Sequence, residues 1–103
     1  TLSFINAELL MAITKTVEVG QVEVVGQYKA VQVRTDTVIK EDGTEISRKF
    51  HRHVLHPGKI DESDNWIDED ISGEDSSVQG IANAVWTQSV KDAFKAHLIA
   101  HKS

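Results

Sequence analysis

At 103 residues the chain has the length of one domain, large enough for a single modest core. Its 40% apolar and 26% charged residues are ordinary for a globular chain, and a formal charge of −5 argues against a sequence-independent grip on nucleic acid. With no cysteine there is no disulfide framework, thiolate metal site or cysteine nucleophile, and no apolar run approaches the ~20 residues that span a bilayer.

Residues 1–10, Thr-Leu-Ser-Phe-Ile-Asn-Ala-Glu-Leu-Leu, precede the only methionine, Met11. They lack the basic start and small-residue cleavage site of a secretory signal. Ala7-Glu8 can be encoded by codons containing GGAG, a ribosome-binding sequence just upstream of the Met11 codon. Residues 1–10 are therefore expected to be leader sequence, or a non-native arm, ahead of a single domain at 11–103. The alternative is an apolar arm, Leu2, Phe4, Ile5, Leu9 and Leu10, that docks on a neighbour.

From Ala12 to Val25 the residues are β-branched and alternating, with Ile13, Lys15, Val17 and Val19 on one side. The phase changes at Gly20, which suggests a turn there and a bulge at Gly26. The central hairpin is expected over 28–55. Its reversal is Asp42-Gly43, because a two-residue type I′ turn needs positive φ at both centres. That turn sets Ile39 opposite Ile46, Thr37 opposite Arg48, Thr35 opposite Phe50, Val33 opposite Arg52 and Val31 opposite Val54. The apolar face is then Val31, Val33, Ile39, Ile46, Phe50 and Val54. The other face pairs Val38 with Ser47, Asp36 with Lys49, Arg34 with His51 and Gln32 with His53.

His56-Pro57-Gly58 ends the second hairpin strand. Residues 59–75 read as an acidic connection (Asp61, Glu62, Asp64, Asp68, Glu69, Asp70, Glu74, Asp75) anchored by Ile60, Trp66, Ile67 and Ile71. Ser72, Asp75 or Ser76 then caps a helix. Its stripe, Val78, Ile81, Ala82, Val85, Trp86, Val90, Ala93, Phe94 and Leu98, keeps a helical period over one long C-terminal helix. Gly80 costs about 1 kcal/mol against Ala. Burying the large members of the stripe, at ~1.5–3 kcal/mol each, outweighs it. The expected fold is α+β: an antiparallel meander of three to four strands, its apolar hairpin face covered by that helix.

The five histidines invite a metal reading. His51 and His53 stand i, i+2 on a strand, and His97 and His101 stand i, i+4 on the helix, a spacing that can chelate zinc or copper. The competing reading is a solvated strand face and a helix end, and no metal site or cofactor is assigned. The acidic run lacks the EF-hand spacing, and no serine elbow or phosphate-cradling glycine loop is present. Arg34, Arg48, Lys49 and Arg52 make a basic strip. Arg48 and Arg52 fall on the expected core face, either at the sheet margin with their heads exposed or against another subunit's acids.

Three segments resemble small uncharacterised proteins of tailed phages that infect marine bacteria and cyanobacteria. They are Val24–Thr35, the Phe50-His51-Arg52-His53-Val54 run, and Ile71-Ser72-Gly73-Glu74-Asp75 with Asn83-Ala84-Val85-Trp86-Thr87. The resemblance covers nearly everything from Met11 onward, although Ile60–Asp68 is longer than the pattern. It implies a source, in a virion or host cytoplasm, without an established activity. The expected function is a non-enzymatic structural or accessory protein, a homo-oligomer whose further partners are other phage structural proteins. The alternatives are a metal-dependent enzyme or metal-binding protein using the histidines, and an acidic modulator of a basic host protein.

Overall fold

Asp42 and Gly43 take φ of 50° and 81°. The reversal therefore falls where the Asp-Gly pair requires it, between β2 (Ala30–Glu41) and β3 (Thr44–Leu55). This computed structural model describes residues 12–102; the expected leader at 1–10 lies outside the described residues.

The turn before β2 corrects the reading of the two glycines. β1 (Ile13–Val25) runs unbroken through Gly20. The chain reverses instead at Gly26 (φ 79°) and Lys29 (φ 55°), closed by the Lys29 amide donating to the Gly26 carbonyl at 3.2 Å. Gly20 is required for another reason: a Cβ there would fall on the Asp36 carboxylate.

The sheet is antiparallel with strand order β1-β2-β3, and the fold is α+β as expected. The acidic connection is not a structureless loop. It holds a second, two-stranded sheet of β4 (Gly58–Ile60) and β5 (Trp66–Asp68), with Lys59 opposite Ile67 and Ile60 opposite Trp66. Gly58 is buried, and a Cβ on it would strike the Ile67 carbonyl and the Trp66 ring.

The helical stretch is two helices, α1 (Ser76–Val85) and α2 (Gln88–Ala100). The continuous apolar stripe hid the break. Trp86 leaves helical geometry (φ −87°, ψ 67°), and its indole N–H donates to the Lys29 carbonyl at 2.7 Å. Thr87 then restarts the helix, its hydroxyl accepting from the Val90 amide at 3.3 Å. Asp75 is the cap of α1, accepting from the Ser77 amide at 3.0 Å.

The chain divides into two compact units. The first comprises residues 12–21 with Arg34–Arg52, and the second Val22–Val33 with residues 53–102. In the second unit Val31, Val33, Leu55, Val78, Ala82, Trp86 and Phe94 are buried, and α2 packs on β4. In the first, Asp36 and Val38 are buried, residues expected on the charged face. Ile46, Phe50 and Val54, expected in the core, are exposed by 56%, 52% and 49%.

That exchange of faces does not come from a misplaced turn. The side chains that meet across β2 and β3 are Arg48 with Asp36 and Arg34 with Phe50. The expected pairings were Arg48 with Thr37 and Phe50 with Thr35. Side chains alternate with period two, so a change of one position exchanges the faces. The pairing that forms adds the Arg48 guanidinium to a buried carboxylate that Arg34 holds from its own strand.

Candidate functional site

In the first unit, alternation along β2 projects Arg34 and Asp36 to one face, two residues apart. Arg34 grips Asp36 with both arms of its fork, Nε donating to Oδ1 at 2.9 Å and Nη2 to Oδ2 at 3.2 Å. Arg48 Nη1 donates to Asp36 Oδ2 at 2.6 Å, and its other nitrogens hold Glu45 at 2.7 and 3.1 Å. Glu18 on β1 lies 3.5 Å from Arg48, and Gln21 accepts from Arg34 Nη1 at 3.4 Å. The network thus spans all three strands.

Burial acts to raise the pKa of Asp36, but the hydrogen bonds and charges of Arg34 and Arg48 outweigh it and hold the carboxyl below its ordinary value. Glu45 is also lowered, first by its hydrogen bond from Arg48. Arg48 is raised, chiefly by its bonds to Glu45 and Asp36. Among the described residues no buried side-chain nitrogen or oxygen lacks a partner. Chemically this is a neutralised, fully bonded charge cluster, well suited to fixing the sheet.

Its surface carries an aromatic platform. The Arg34 guanidinium stacks 4.6 Å from the Phe50 ring centroid, and that of Arg52 lies 5.8 Å away. Arg48, expected at the margin or against another subunit, meets acids of its own chain. Arg52 and Lys49 have no acidic partner among the described residues.

In the second unit the organising residue is Phe94 on α2. The Tyr28 ring lies 5.3 Å from it, His56 5.8 Å, His97 6.2 Å and Trp66 6.3 Å. His97 also approaches Tyr28 at 4.9 Å and lies tilted against His101 at 4.3 Å. The His101 ring bonds the His97 carbonyl at 2.9 Å through Nδ1, so Nδ1 carries the proton. His53 Nε2 lies 2.5 Å from Glu74 Oε1, and His51 is exposed on β3. His97 is thus part of an aromatic assembly, not only a solvated helix end. Among the described residues no three His, Asp or Glu side chains gather as a metal would need.

The acidic connection is held largely by its own bonds. Asp61 Oδ1 accepts from the Ser63 and Asn65 amides at 2.8 and 2.9 Å, and this lowers its pKa. Asp68 accepts from the Trp66 indole at 2.7 Å, which lowers it first, and from Lys91 at 3.0 Å. Asp64 pairs with Lys102 at 2.6 Å, and Asp70 accepts from the Ser72 amide at 3.0 Å. The side chains of Glu62 and Glu69 hold no such partner among the described residues.

Reasoning from sequence missed Asp36, Gly20 and the ring assembly at Phe94. The Arg34-x-Asp36 spacing was the available signal for the first, since i, i+2 residues share a strand face. No known protein family, curated protein or solved structure matches the chain.

Proposed function

We propose that the protein is a non-enzymatic structural or accessory module that acts through protein contacts and self-associates, in the phage setting its sequence resemblance implies. One observation carries this reading. β3 is an outer strand, and it displays Ile46 and Phe50 to solvent. β1, the other outer strand, displays Ile13 and Val17. Among the described residues neither strand pairs beyond β2, so each presents a ladder edge beside apolar side chains. Such a surface is covered economically by a further copy.

The arrangement of charge supports the same reading. Arg34, Arg48, Asp36 and Glu45 neutralise one another, and of the acids of 61–75 Asp61, Asp68 and Asp70 are bonded within their own segment.

Light scattering across a dilution series tests the proposal. The mass is expected to fall from oligomer toward monomer with dilution, and a monomer at every concentration would overturn it. Mass spectrometry of purified virions tests the phage setting, with this polypeptide expected among their proteins.

A further inference from the structure

β1 is an outer strand of 13 residues, unbroken from Ile13 to Val25 and without proline. Natural edges are usually blunted by shortness, proline or a covering element. β1 instead leaves Ile13, Val17, Val24 and Val25 exposed along its length. Neither Lys15 nor Glu23 has an ionic partner among the described residues.

The order of residues in β1 suits pairing with its own copy. Val19 is the midpoint of the strand. An antiparallel pair with its two-fold axis there sets each residue opposite the one equally far beyond Val19. Lys15 then faces Glu23 of the second copy, twice over, and Ile13 faces Val25. Thr14 faces Val24, and Glu18, which reaches Arg48 in its own chain, faces Gly20. The two members of every pair belong to the same strand face, as a continuous sheet requires.

Neighbouring registers lack this match. An axis at Glu18 sets that carboxylate against its copy, and an axis at Gly20 sets Glu23 against Val17 and Lys15 against Val25. β3, the other outer strand, is no substitute. An axis at Lys49 brings that cation to its copy, and an axis at Phe50 brings Arg48 to Arg52. Like charges directly opposite are destabilising. Seating β1 on β3 of another copy leaves an edge open at each end and grows without limit, whereas β1 on β1 closes as a dimer.

We propose that two copies pair antiparallel along β1 about Val19, with Lys15 of each set against Glu23 of the other. This deepens the self-association proposed above and rests on it.

Sedimentation equilibrium of the full chain provides the test, with circular dichroism confirming that each variant folds. The wild type is expected to stop at the dimer. Lys15→Glu sets carboxylate against carboxylate at both pairs, and Glu23→Lys sets ammonium against ammonium. Each alone is expected to weaken dimerisation about 10-fold or more, a difference that narrows in salt of about 1 M. The decisive arm is an equimolar mixture of the two, expected to dimerise at least as tightly as the wild type because opposite charges meet again at both pairs. The double variant Lys15→Glu/Glu23→Lys is expected to recover the wild-type affinity within about threefold. Lys49→Glu, on β3, is expected to leave it unchanged.

Three results overturn this pairing and leave self-association standing: growth past the dimer, a mixture that behaves as its components do, or a dimer weakened by Lys49→Glu and not by the β1 variants. A wild type that is monomeric throughout overturns both.

Discussion

The first unit closes over a carboxylate, whereas the second closes over a phenyl ring. Asp36 is held by directional bonds from Arg34 and Arg48, and its position leaves no room for a side chain at Gly20. Phe94 is held by the rings of Tyr28, His56, Trp66 and His97, which fill volume around it. A core of the first kind depends on protonation and on exact fit at one point. A core of the second kind depends on packed area. Both tryptophans, Trp66 and Trp86, belong to the second unit, so their fluorescence reads that unit. Amide hydrogen exchange over residues 34–41 reads the first.

The largest expected effect is on the apolar core. Trp86→Ala removes a buried indole and its bond to Lys29, at a cost of about 3–5 kcal/mol in denaturant unfolding. Exchange over 34–41 tells whether the first unit survives the loss.

Gly20→Ala is the counterpart in the charge core. The new methyl group must displace the Asp36 carboxylate, at about 1–3 kcal/mol. Protection over 34–41 is expected to fall more than tryptophan fluorescence changes. Asp36→Asn sharpens the contrast by pH. The folded-state pKa of Asp36 is depressed, so its contribution is present above the unfolded value of about 3.9 and is lost as pH falls through the lower folded value. The wild type is expected to lose protection over 34–41 across that acid range. Asp36→Asn starts less stable at neutral pH and lacks that part of the acid slope.

Smaller effects separate capping from surface charge within the second unit. Thr87→Ala removes the hydroxyl that caps α2, worth about 1 kcal/mol by thermal unfolding. Lys91→Met breaks the exposed pair with Asp68, and roughly 0–1 kcal/mol is expected, vanishing at high salt.

Local chemistry was legible in the sequence where it acted alone. Asp42-Gly43 named its own turn, and Val31 and Val33 were placed inside correctly. Asp75 was among the residues expected to cap the helix. What could not be read depended on distant partners. Gly20 looks like punctuation until Asp36 is seen against it. Trp86 continues the helical stripe in phase, and only its bond to Lys29 explains why the helix stops there. β4 and β5 are too short, at 3 residues each, to show a period inside an acidic run. The histidines divided along the same line: His97 gains a ring neighbour in Tyr28, far away in the sequence, beside Phe94 on its own helix.

The link between the Trp86 indole and the Lys29 carbonyl joins positions 57 apart in the chain. Ring closure over that span costs entropy before any contact compensates it. On the ribosome, the early β1–β2 reversal must therefore wait for most of the polypeptide to emerge before it gains this anchor. Until then the nascent strands have no clasp, and a chaperone has its longest opportunity to bind them.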